Sequence, residues 1–232
     1  MRSLSPWWLR PQTAPGIALA VAAASIILGL ALPVDRVAAL MSEHGPIESS
    51  TVALYAVAAL LVALFPGRTL QRRHQVMLVI LLAAFGAREL DLHKSLTQVS
   101  MLRFSFYFSD APLAQRVGSA LVLIPVVVSL LGLARQALPL LAAVRRLKPA
   151  AVTVVTFILT MLVSKVADRS INILAEDFTV VFATATGAAV LALEEVMELS
   201  LPLLACLAWA QAWYSAQVSS PATRAGPAGR LR

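Results

Sequence analysis

Residues 11–34 contain no Asp, Glu, Lys or Arg. An apolar run of that length crosses the roughly 30 Å hydrocarbon core of a bilayer as one helix. Lipid leaves little choice, because backbone N–H and C=O groups without water must be satisfied inside a helix or a closed barrel. Comparable runs recur along the chain and predict six spans, at 16–33, 46–65, 75–94, 115–133, 150–171 and 187–214. The 232 residues are 59% hydrophobic and 13% charged, about half the charge of a soluble domain. The fold class expected is therefore an all-α polytopic membrane bundle.

Two of these spans need argument. The uncharged part of the third ends at Ala87 and runs into Arg88-Glu89-Leu90-Asp91-Leu92-His93-Lys94. It is too short to cross alone, so those charges enter the membrane in part. Residues 178–214 taken as one helix would be about 55 Å long, too long for one crossing. A turn within Leu193-Glu194-Glu195-Val196-Met197-Glu198-Leu199 has no Gly, Pro or Asn to make it and would interrupt strong helix formers. The break is accordingly set at 184–187, leaving 178–183 as a short interfacial or re-entrant segment.

The basic residues give the orientation. Arg2 and Arg10 precede the first span; Arg68, Arg72 and Arg73 follow the second; Arg135, Arg145, Arg146 and Lys148 follow the fourth; Arg224, Arg230 and Arg232 follow the sixth. No acid lies among them, and the positive-inside rule makes all four regions cytoplasmic, with both termini inside. The expected organisation is a cytoplasmic N-terminus at 1–15, a six-span bundle at 16–217, and a disordered cytoplasmic tail at 218–232, rich in Ala, Gly, Pro and Arg. Trp7, Trp8, Trp209, Trp213 and Tyr214 suit interfacial anchors on that side. The formal charge of +7 thus reports topology. It does not form a basic stripe interleaved with aromatics, and nucleic acid is excluded as a partner. One cysteine, Cys206, and three histidines exclude a disulfide framework and a Cys- or His-built metal cluster.

All 12 acids fall in the regions left on the outer side or in the outer part of a span. Each charge kept inside a bilayer costs about 2.5–3.5 kcal/mol, so a span that keeps several needs a packed polar interior. Glu194, Glu195 and Glu198 share one arc of the sixth helix, since three residues advance about 300° and four about 400°. They repel one another unless a cation or a Lys/Arg compensates, and Pro202 follows four residues later, where its ring disturbs the helix. The third span offers Glu89 and His93 at i, i+4, with Arg88, Asp91 and Lys94 on another side. The fifth offers Lys165, Asp168 and Arg169 on one face, and the second begins with His44 and Glu48 beside Glu43. His74 is expected to be a solvated loop residue. Phe104, Phe106, Tyr107 and Phe108, four aromatics in five residues, suit a segment lying on the outer leaflet.

Three readings follow if these helix ends meet. In the first, a membrane-embedded enzyme acts on a lipid or isoprenoid-linked substrate with a divalent metal as cofactor. Glu194, Glu198, Glu48 and His93 would be metal ligands, because carboxylates with one or two imidazoles suit Mn, Fe, Mg or Zn. Glu89, His93, Asp168 and Glu195 would be catalytic acid/base groups, and Arg88, Lys165 and Arg169 would hold an anionic head group. In the second, the protein is a proton- or cation-coupled transporter, acting as a homodimer because six short spans enclose little. In the third, it is a structural or assembly subunit whose charges staple helices together. Membrane lipids are partners in all three.

The pieces Glu43-x-Gly45-Pro46-Ile47-Glu48, Arg88-Glu89-Leu90-Asp91-Leu92-His93-Lys94, Ser164-Lys165-x-x-Asp168-Arg169 and Leu193-Glu194-Glu195-x-x-Glu198-Leu199 together resemble a bacterial family of small multi-span inner-membrane proteins without an assigned function. The resemblance covers residues 40 to 210 and implies the bacterial inner membrane, but no activity. The several-His fingerprints of alkaline ceramidases and related seven-span hydrolases are not matched.

Overall fold

The computed structural model describes residues 6–42, 45–65, 71–92, 104–108 and 111–218. Glu43, His44, His93, Lys94 and residues 219–232 of the expected tail lie outside the described residues. Among the described residues the protein is all helix, without strands. The α-helices are α1 (Thr13–Ala31), α2 (Val34–Leu40), α3 (Pro46–Leu64), α4 (Arg72–Glu89), α5 (Leu113–Ala134), α6 (Ala137–Arg145), α7 (Pro149–Glu176) and α8 (Thr184–Val218). Short 3-10 turns occupy Trp7–Leu9 and Phe104–Phe108. Proline opens α3 and α7, where the missing N–H is one that a helix start leaves unpaired anyway.

Among the described residues four helices, α1, α3, α5 and α7, are long and apolar enough to cross a membrane. The other two regions expected to span are also long helices, but they carry charge. Arg72, Arg73, Arg88 and Glu89 lie in α4, and Glu194, Glu195 and Glu198 in α8. α4 stops at Glu89, short of residue 94, because Asp91 takes a left-handed backbone with φ 49°, a region that Asp tolerates better than most residues. His93, expected to share a face with Glu89, lies outside the described residues. Residues 178–183 are not helical, and α8 begins at Thr184 and continues through Pro202.

α8 is the hub: it packs against α1, α3, α7 and the short α2, while α4 packs on α3 and α5 on α4. Between lipid-embedded helices no water-driven hydrophobic force operates, and close backbone approach through small residues takes its place. Ala14, Ser25 and Gly29 are the buried residues of α1, and Ala188, Ala189 and Ala192 are buried on α8. A second packing centre joins Tyr55, Ala58 and Val62 of α3 to Leu82 of α4 and Leu201 of α8, with Phe85, Phe157 and Trp209 against it. Trp209, one of the expected interfacial anchors, is half-buried and packs against this centre. Apolar bulk faces outward instead, as Val117, Leu121, Ile124 and Leu131 do along α5.

Polar side chains close the ends of the bundle. Gln75 Nε2 donates to the Val62 carbonyl at 2.6 Å, satisfying an acceptor in the last turn of α3 that has no intrahelical partner. Its neighbour His74 is buried, contrary to expectation, with Nε2 3.4 Å from Gln136 Nε2. Gln211 of α8 is fully buried: it accepts from Thr153 Oγ1 at 2.7 Å and donates to the Trp8 carbonyl at 2.6 Å. Trp8 also meets Tyr214 edge-on, with ring centroids 5.3 Å apart. The start of the chain and the end of α8 consequently sit at the same end of the bundle. Gln211→Leu removes an acceptor and a donor at once and leaves buried groups unpaired, so it is expected to cost about 1–3 kcal/mol. Thermal unfolding in detergent measures this, and an unchanged midpoint refutes it.

Candidate functional site

At the opposite end of the Gln211 layer, three helices bring charge together. The link runs along α7, where Thr153, Thr156, Thr160 and Ser164 are all buried and their three- and four-residue spacing puts them on one face. Thr153 meets Gln211 at one end of this stripe and Ser164 meets Glu198 at the other, Ser164 Oγ donating to Glu198 Oε1 at 3.2 Å. Gln211 and Glu198 are thirteen positions apart on α8, or about 20 Å along its axis.

Lys165, next to Ser164, places its ammonium between two carboxylates of α8. Nζ lies 3.1 Å from Glu194 Oε1 and also pairs with Glu198 Oε1. Glu194 and Glu198 are four residues apart and share a face of α8, so one ammonium reaches both. From the end of α4, Arg88 directs Nη1 to Glu89 Oε1 at 3.4 Å and Nη2 to Glu198 Oε1 at 3.9 Å. Glu89 lies within electrostatic range of Glu198. The exposures are graded: the side chains of Glu198, Glu89 and Glu194 are 7%, 10% and 15% exposed, those of Lys165 and Arg88 35% and 40%. The acids are inside and the bases form the rim.

Tyr55 of α3, 1% exposed, closes the cluster from below, within electrostatic range of Glu89 and Glu198. It stacks on Phe85 at 5.8 Å, and Gly86 makes room for it, since a Cβ there would lie 3.3 Å from Tyr55 Cβ. Neither Tyr55 nor Ser164 stands out in the sequence as a site residue. Glu48, Thr51 and Tyr55 at i, i+3, i+7 on α3 form a polar face that would have pointed to the first, and the α7 hydroxyl spacing would have pointed to the second.

The remaining expected residues are placed less centrally. Glu195 is half-buried, within electrostatic range of Glu198, Glu194 and Glu48. Asp168 lies within range of Glu194. Arg169 is exposed; four residues on from Lys165, it stands on the same side of α7. His93 lies outside the described residues.

No family model, curated protein or solved structure matches the chain. Its chemistry is therefore read from the cluster alone. Among the described residues no group of three or more His, Cys, Asp or Glu side chains is arranged to hold a metal ion. The ammonium of Lys165 already stands between Glu194 and Glu198, two of the expected ligands, and a divalent cation would have to displace it.

Proposed function

We propose that the chain is a six-span protein of the bacterial inner membrane, of the family its motifs resemble, with both termini cytoplasmic. We infer that it moves protons or small cations through the carboxylate cluster of α4, α7 and α8, on the periplasmic side. One observation carries the reading: a lysine ammonium held between two buried carboxylates, with a third carboxylate beside them. Three carboxylates, Glu89, Glu194 and Glu198, face two bases, Lys165 and Arg88, and Glu195 lies nearby. The surplus favours uptake of a cation or proton, and ionisable groups at membrane depth mark such pathways. The hydroxyl face of α7 supports a polar route inward. The shared end of Trp8 and Gln211 supports an even number of crossings. A homodimer is part of this reading, because one bundle of this size encloses little.

Ion flux tests the proposal. Purified protein in liposomes carrying a pH-sensitive dye or a trapped cation indicator is expected to dissipate an imposed gradient, with Glu198→Gln slower by about tenfold or more. The paired swap Glu198→Lys with Lys165→Glu is expected to fold but not to conduct. Wild-type protein no more permeable than empty liposomes ends the reading, and full flux from the swapped variant reduces the cluster to a helix staple.

The half-exposed cations at the rim favour one other reading, in which Arg88 and Lys165 hold the anionic head group of a lipid or isoprenoid-linked substrate and a metal sits at Glu194 and Glu198. Divalent metal co-purifying with the wild type, and lost when both glutamates become Ala, distinguishes it.

A further inference from the structure

A second site lies at the other end of α4. Met77 tucks against Gly132 of α5, where a Cβ would lie 2.7 Å from the Met77 Cε and Sδ. Beyond that contact, towards Pro125, α4 and α5 leave an open groove of about 530 Å³, within the range of small-molecule sites. Its wall is apolar except at two places. Arg72 and Arg73, both exposed, stand at the mouth, and the buried Ser129 offers a hydroxyl within. No acid lines it. The flank of α5 outside the groove is itself apolar and exposed, at Leu121, Ile124 and Leu131, so the groove opens onto the surface that the membrane reading gives to acyl chains.

The geometry points to a binding site for an anionic phospholipid, its phosphate against Arg72 and Arg73 and one acyl chain along Met77, Pro125 and Val128. Charge complementarity selects this occupant. Two guanidinium groups with no carboxylate between them suit a phosphodiester, and a fully apolar ligand would leave them unused. A second copy of this chain docking here side by side would bring its own apolar face, while the acids of α4 and α8 lie at the far end of the bundle, away from Arg72 and Arg73. The site rests on the membrane placement of α4 and is independent of ion movement, because it shares no residue with the carboxylate cluster.

Photolabelling tests the site. The protein is inserted in phosphatidylcholine nanodiscs doped with phosphatidylglycerol or phosphatidylcholine carrying a diazirine on one acyl chain, irradiated, and mapped by peptide mass spectrometry. The phosphatidylglycerol probe is expected to label the peptides containing Met77 and Val128, and the phosphatidylcholine probe to label them far less. Each arginine near an anionic head group contributes about fivefold in affinity, so Arg72→Gln with Arg73→Gln is expected to lower phosphatidylglycerol labelling by roughly 25-fold. Val128→Trp fills the groove, leaves both arginines, and is expected to block labelling on its own, which keeps the test valid if the double variant does not fold. Glu198→Gln is expected to keep full labelling, separating this site from the proposed ion path. Equal labelling by both probes overturns the proposal, as does labelling that survives both variants. Displacement of the probe by excess inorganic phosphate reduces the site to an anion patch, and crosslinks to a second copy in place of lipid assign the groove to a dimer contact.

Discussion

Lys165→Met is expected to destabilise the protein by about 3 kcal/mol, more than loss of any other single charge. Removing one partner of a buried ion pair commonly costs 3–5 kcal/mol, because the other charge is left buried and uncompensated. Here two carboxylates lose their partner together, Glu194 and Glu198, and Glu198 keeps only the Ser164 hydroxyl at 3.2 Å and Arg88 at 3.9 Å. The 35% exposure of the Lys165 side chain puts the cost at the lower end of that range, since water reaches part of the vacancy. The cost belongs to the orphaned acids rather than to the lysine, so Lys165→Met combined with Glu198→Gln is expected to recover most of it. A thermal double-mutant cycle in detergent measures the coupling. Additive losses, with no recovery in the double variant, would show that Lys165 and Glu198 do not depend on each other.

Gly29→Leu is expected to separate α1 from α8. A Cβ at this position would lie 2.5 Å from Ala189 Cα and 3.0 Å from the Ala188 carbonyl oxygen. Both are backbone atoms of α8, and no rotamer change relieves the clash; the helix itself must move. Overpacking an ordinary core costs about 1–3 kcal/mol. With rigid backbone on the other side, a loss of about 3 kcal/mol or more is expected, seen as a lower unfolding midpoint and a broadened gel-filtration peak. Gly16 on the same helix and Gly187 on α8 have no atom within 4 Å of such a Cβ. Gly16→Ala and Gly187→Ala are therefore expected to be neutral, or to stabilise by up to about 1 kcal/mol through helix propensity. Equal effects at Gly16 and Gly29 would mean that α1 and α8 do not meet as described.

Much of this was legible before the structure, and the exceptions have specific causes. The long helices follow from charge-free runs, because desolvation of a charge is the largest local penalty in lipid and marks its surroundings clearly. That Glu194, Glu195 and Glu198 share an arc and call for a compensating charge followed from helical spacing, but pairing with Lys165 was one of three readings, beside metal ligation and proton transfer. The end of α4 did not follow, because one backbone dihedral at Asp91 decided it. Short helices such as α2 and α6 lie in what reads as loop, since seven to nine residues carry too little periodicity to declare themselves. The aromatic segment looked uniform in sequence, yet its 3-10 turn buries Phe106 and exposes Phe108. The polar layer of Thr153, Gln211 and the Trp8 carbonyl was invisible for a different reason. A neutral side chain in an apolar run gives no sign of its partner, and here the partner is a main-chain oxygen 203 positions away.

That separation in sequence sets the order in which the protein can be made. At about 5–20 residues per second, α1 leaves the ribosome well before the helix that its Gly29 face is shaped to meet. Until α8 is synthesised, the small-residue surface of α1 has no companion, and Gln211 cannot bind Trp8. Among the described helices α8 therefore completes the packing last, meeting α1, α2, α3 and α7 after all four have been made.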